Sequence, residues 1–134
     1  MIVLLAGALL MAAPDAAFTP EQVVRIVADG LRSNNSPSPN AGIYTAYRFS
    51  SPANHAITAP YGNFLRVVKH PDFAPLLRAS GQSFGPIYVT GRGARQTVQA
   101  RAQDGVVAEF DFVLTRQSGG AYKDCWMLDG VKRR

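Results

Sequence analysis

Cysteine and histidine are almost missing from this chain of 134 residues, which holds one cysteine, Cys125, and two histidines, His55 and His70. A single thiol cannot close an internal disulfide, and it cannot supply a zinc site built from several thiolates. Two histidines far apart in sequence add little to that, so no metal is expected and no cofactor either. Phosphate-binding loops are missing as well. Gly91-Arg92-Gly93 belongs to neither a G-x-x-x-x-G-K-[ST] nor a G-x-G-x-x-G pattern between a strand and a helix. Charge is modest, with 17% of residues ionisable and a net charge of +5. Lys132, Arg133 and Arg134 form a short basic tail and the other cations are dispersed. No RRM-type or zinc-finger pattern accompanies them, so nucleic acid is not the expected partner.

Long apolar runs are also scarce. The one present, Ile2 to Ala13, is too short to span a bilayer but has the length of a signal-peptide core. Small residues and Pro14 follow it, without a basic start or a clean A-x-A site. Residues 1–18 are therefore read as an apolar leader or targeting remnant, which implies export to a periplasm, the exterior or an organelle lumen. Residues 19–131 form one domain and 132–134 the tail.

What the chain does have is 47% hydrophobic residues in ordered patterns, enough for a core that buries roughly two thirds of the unfolded surface. Thr19-Pro20-Glu21-Gln22 predicts a capping box, followed by Val23, Ile26 and Val27 at helical spacing. Gly30 and the Ser/Asn/Pro run from Ser33 to Asn40 end that helix. Ala41 to Ser50 is a short aromatic helix, with a turn expected at Ser51-Pro52. A further helix follows Pro60, with Phe64, Val67 and Val68 as its buried stripe, and Pro71 stops it. Asp72 to Leu77 adds one helical turn.

Beyond Gly81 the period changes to alternation. Ile87 and Val89 mark a first strand and Ala94 to Ala102 a second. Asp104-Gly105 predicts a hairpin into a third strand, Val106 to Arg116, whose Ala108, Phe110, Phe112 and Leu114 share a face. After Gly119-Gly120 a fourth strand places Trp126 and Leu128 together. Helices first and an antiparallel meander second give an α+β fold, with the N-terminal helices packed on one face of a four-stranded sheet.

The stretches AGIYTAYRFSSPANHAITAPYGNFLRVVKHPDFAPLL and RQSGGAYKDCWMLDGV resemble a family described only as a domain of unknown function, number forty-eight sixty-four. The ending Cys125 to Val131, with Tyr122 three residues before it, is the most specific marker of that resemblance. It covers about residues 19 to 131 and implies membership of the nuclear transport factor two-like, or cystatin-like, cone superfamily. It implies a curved sheet closed on one side by helices around a cone-shaped cavity, and it carries no catalytic assignment. Members of the wider superfamily include isomerases and dehydratases, ligand binders, dimers and interaction modules, so fold does not select a function.

Several side chains are candidates for a site. His55 follows the Ser-Pro-Ala-Asn turn near the expected cavity mouth, whereas His70 precedes a proline at a helix end, where an imidazolium would favour the last carbonyls. Asp72 most simply caps the turn beginning at Phe73, and Asp111 alternates onto the face opposite the aromatic core. Cys125 is read as a packing residue, although Lys123 beside it could activate a thiolate. The first reading is a non-catalytic domain that binds a small apolar or aromatic ligand or a protein partner. Its pocket would be lined by Tyr47, Phe49, His55, Tyr61, Phe64 and Trp126, so His55→Ala should alter binding. A homodimer through Arg95, Thr97, Gln99, Glu109 and Asp111 of the sheet face accompanies that reading. The alternative is a lyase- or isomerase-like enzyme in which His55 works with a tyrosine or Asp72.

Overall fold

The computed structural model describes residues 12–134. Most of the expected leader, residues 1–11, therefore lies outside the described residues. Among the described residues, no helix is long and apolar enough to cross a membrane.

Helix α1 spans Pro20–Arg32 and begins as the sequence dictates. The Thr19 hydroxyl accepts the backbone N–H of Gln22 at 3.1 Å, and the Gln22 side chain accepts the Thr19 N–H at 2.8 Å. Its buried stripe is Val23, Val24, Val27, Ala28 and Leu31. Helix α2, Ala41–Phe49, crosses α1 at a point of backbone contact. A Cβ on Gly42 would stand 1.9 Å from the carbonyl oxygen of Gly30, so only glycine permits the crossing. Asn34 holds the intervening loop, its Oδ1 accepting the Ile43 N–H at 2.9 Å.

The turn expected at Ser51-Pro52 is instead the start of a helix, α3, spanning Pro52–Thr58. The Ser51 hydroxyl accepts the Asn54 N–H at 3.1 Å and Pro52 occupies the first turn, which is the device already legible at Thr19-Pro20. Helix α4, Tyr61–Val68, follows, and a 3-10 turn covers Pro71–Phe73. Within α4 only Phe64 is fully buried; Val67, expected on the core stripe, remains 42% exposed.

Five strands follow rather than four: β1 Gly81–Phe84, β2 Tyr88–Thr90, β3 Gly93–Arg101, β4 Val107–Arg116 and β5 Trp126–Arg133. All pair antiparallel in the order β1-β3-β4-β5, with β2 on the same edge of β3 as β1. Strand β1 has no apolar alternation to announce it, because its role is backbone pairing with Val98 to Arg101. The pairing of β4 with β5 shifts between Val113 and Leu114, a bulge that bends the sheet locally.

The helices pack on one face of this sheet, giving the α+β arrangement of helices against an antiparallel sheet. Val98, Phe110, Phe112 and Leu114 from the sheet meet Val23, Val27, Ile43 and Phe49 from the helices in one buried core. Packing begins before Thr19, since Phe18 lies against Phe49 with ring centroids 6.2 Å apart. At the other end Lys132 and Arg133 continue β5, and the Arg134 N–H donates to Glu109, so these residues are strand rather than free tail.

Candidate functional site

Between α3, α4, the 3-10 turn and β5 lies a cleft of about 180 Å³. Its floor is core: Val27, Leu31, Leu76 and Leu128. Ile57 from α3 and Val67 from α4 stand at its mouth, 78% and 42% exposed. Along one side runs the strand backbone of Leu128 to Val131.

Local sequence explains how the walls are held. Asn54, one turn into α3, is buried and ties that helix to the sheet, its Nδ2 donating to the Leu128 carbonyl at 3.3 Å. The Ser51 N–H donates to the same carbonyl at 2.8 Å. The Thr58 hydroxyl donates to the Asn54 carbonyl at 2.8 Å, and the Ser50 hydroxyl to the Ala46 carbonyl at 2.8 Å. Asp129 sits beside the bulge and its Oδ2 accepts the Thr115 hydroxyl at 2.5 Å. Each polar side chain of the wall is thus engaged within the protein, and the open surface of the cleft is chiefly apolar. A group entering it would be held by contact and dehydration rather than by hydrogen bonds.

Of the six residues expected to line a pocket, Phe64 alone lines this cleft. Phe49 is fully buried in the core and Trp126 is 8% exposed, both packed rather than facing an opening. Tyr47, Tyr61 and His55 join Tyr44 and Phe64 in a cluster that knits α2, α3 and α4 together. Tyr47 meets Tyr61 at 5.3 Å and Phe64 at 5.1 Å, Tyr44 meets Tyr61 at 5.5 Å, and His55 stacks on Tyr47 at 4.2 Å. These rings fill space with one another, which is the ordinary fate of aromatic side chains between packed helices. Burial, with the neighbouring Tyr44, raises the Tyr61 phenol above its usual range.

The histidines and Asp72 take other parts than expected. His55 Nε2 lies 2.8 Å from the Tyr47 carbonyl, an acceptor only, so that nitrogen carries the proton and cannot serve as a base. His70 caps the turn that follows it instead of the helix before it, its Nδ1 accepting the Asp72 N–H at 3.1 Å. Asp72 lies inside that turn, its carboxylate 3.7 Å from His70 Nδ1 and its carbonyl accepting from Arg133. His55 and Asp72 are therefore tied to different neighbours. Cys125 is buried, and burial, then the carboxylates of Asp15 and Asp124, push its thiol up, opposite to what a nucleophile needs.

The outer sheet face is internally paired. Thr97 Oγ1 donates to Asp111 at 2.7 Å, and Arg134 Nε spans both Asp111 oxygens at 3.1 Å. The Thr97 hydrogen bond is the main cause that holds the Asp111 carboxyl below its usual range, against a smaller desolvation and with help from Arg134 and Arg95. Among the described residues, no group of three or more His, Cys, Asp or Glu could hold a metal ion.

Asn54 and Ile57 are the cleft-lining side chains that reading the sequence missed. The signal was Ser51-Pro52, which starts a helix and then places Asn54 and Ile57 three residues apart on one side of it. Comparison with known protein families, curated proteins and solved structures returns no match.

Proposed function

We propose that this domain is a non-catalytic binding module that seats a small apolar or aromatic group in the cleft between α3, α4 and β5. The observation carrying this reading is the pairing of an unfilled apolar cleft with two aliphatic side chains, Ile57 and Val67, left exposed at its mouth. Exposed apolar side chains grouped around a concavity gain by being covered, at about 25 cal/mol per Å². The size narrows the guest: a cavity of about 150 Å³ takes benzene, so this cleft suits one ring or a short branched chain.

The resemblance of the Cys125–Val131 ending belongs to the same proposal, since a cone fold would place its ligand between helices and sheet. So does export, which rests on the apolar run Ile2–Ala13 and is tested by sequencing the mature N-terminus. A homodimer through the outer sheet face would cover Tyr88 and Val113, 59% and 41% exposed; sedimentation velocity reads it directly.

Titration calorimetry with indole and small alkylbenzenes tests the central reading. Saturable one-site binding is expected, weakened about tenfold by Ile57→Asp, which places a charge at the mouth. His55→Ala should leave binding unchanged, because His55 faces Tyr47 rather than the cleft. Absence of saturable binding up to millimolar probe, or indifference to Ile57→Asp, would overturn the proposal.

The lyase- or isomerase-like alternative has less support. It needs His55 and an acid or hydroxyl to converge in one cavity, whereas His55 stacks on Tyr47 outside the cleft lining and Asp72 sits against His70 and Arg133.

A further inference from the structure

We infer that the natural occupant of the cleft is one apolar side chain of an extended, acidic peptide that adds to β5 as a further strand; this rests on the cleft being a binding site. Three observations converge on it.

The first is an open edge. Strand β5 pairs with β4 on one side. Among the described residues its other edge is met at Leu128, by a single bridge to Ser50 and by the Ser51 and Asn54 hydrogen bonds to the Leu128 carbonyl, and pairs with no strand beyond it. The Arg134 N–H donates to Glu109 of β4, so by the alternation of an antiparallel ladder Lys132 also faces β4. The N–H and C=O groups of Val131 and Arg133 therefore point to the vacant side. An exposed edge of this kind is a template for another strand.

The second is adjacency. The cleft is lined by Leu128 to Val131 of that same edge, with Ile57 and Val67 on the facing wall. A strand laid along β5 would carry alternate side chains on the helix side of the sheet, and one of them would enter the cleft. A volume of about 180 Å³ suits a single phenylalanine or leucine side chain.

The third is charge. Arg133 and Lys132 border the open edge, Arg133 on the helix side, where its Nη1 reaches the Asp72 carbonyl at 3.2 Å, and Lys132 on the outer face opposite Asp111. Neither makes a carboxylate ion pair among the described residues, whereas Arg134 does. The nearby carboxylates are engaged within the protein: Asp72 is set against His70, Asp129 accepts from Thr115, and Asp111, opposite Lys132, is held by Thr97 and Arg134. The cations suit glutamate or aspartate flanking the apolar anchor.

The test uses the full chain, labelled with nitrogen-15, and a capped heptapeptide of alternating valine and threonine with a central phenylalanine and glutamate at both ends. Two analogues accompany it, one with lysine for glutamate and one methylated at alternate backbone nitrogens, and indole is titrated in parallel. The glutamate peptide should displace indole and slow hydrogen exchange at the Val131 and Arg133 amides by about tenfold or more. The lysine analogue should bind at least about fivefold more weakly at low salt. The methylated analogue should not bind. If indole binds and the peptide does not, or the peptide displaces indole without protecting those amides, strand addition is wrong and the cleft reading stands. If neither binds, both fall. If the free protein sediments as a dimer with Val131 and Arg133 already protected, a second copy holds the edge and the inference fails.

Discussion

At the scale of single residues, surroundings decide what each ionisable group does. The Asp111 carboxylate is held by Thr97, Arg134 and Arg95, and its folded pKa is lowered. Its stabilisation is therefore fully present above the ordinary carboxylate range and is lost as pH falls through the lower folded value. Melting temperatures of the parent and Asp111→Asn should differ at neutral pH and converge well below about pH 4. A gap that widens on acidification would contradict the assignment. Cys125 is the opposite case, buried and with its thiol pushed up. Ellman's reagent should react with it roughly a hundredfold more slowly in the native protein than in the urea-unfolded chain. Equal rates would mean the thiol is accessible and the packing reading is wrong. The histidines show why residue type alone misleads, because only their partners distinguish a base from a stacked ring or a turn cap.

At the scale of elements, the two glycines where α1 crosses α2 are not equivalent. At Gly42 a Cβ would collide with the Gly30 carbonyl, whereas at Gly30 it would meet its nearest neighbour at an ordinary 3.6 Å. Gly42→Ala should therefore cost about 3 kcal/mol or more by forcing the helices apart. Gly30→Ala should be neutral or stabilise by up to about 1 kcal/mol through helix propensity. Urea unfolding of the two variants checks both signs. Sequence could foresee a helix end near Gly30 but not this crossing, since the contact joins backbones rather than patterned side chains. The start of helix α1 was legible, as its capping box and apolar period agree with one another, but the helix runs past Gly30 to Arg32 and buries Val24 and Ala28 more deeply than Ile26. Helix α3 carried a comparable start signal in Ser51-Pro52, but its short run of mixed polarity lacks a stripe to extend it. Strand β1 was illegible for the same reason, being a polar edge strand recognised only by the backbone opposite it.

At the scale of the whole molecule, helix layer and sheet are joined by core packing and by a few polar ties. The buried Asn54, which donates to Leu128, is the tie nearest the cleft. Asn54→Ala should destabilise the fold by about 2 kcal/mol and loosen α3 against β5. Denaturant midpoints report the first effect, and amide exchange along α3 reports the second. Ile57→Asp should leave stability within about 0.5 kcal/mol, because that side chain is exposed. Together the two variants separate the frame of the cleft from its mouth.

The alternation of β3 and β4, the stripe of α1 and the order of helices before strands fixed the α+β plan from the sequence alone. Those patterns repeat over many residues, so burial of one face leaves them few alternatives. The site was decided elsewhere. Tyr47, Tyr61 and His55 have the composition of a pocket wall, yet their rings satisfy one another. Ile57, Val67, Asn54 and the edge of β5 become a cleft only because α3 is tied to Leu128 and α4 leaves a gap beside it. Periodicity specifies which face a residue takes, but a cavity depends on where two such faces fail to meet, and that is set by tertiary packing.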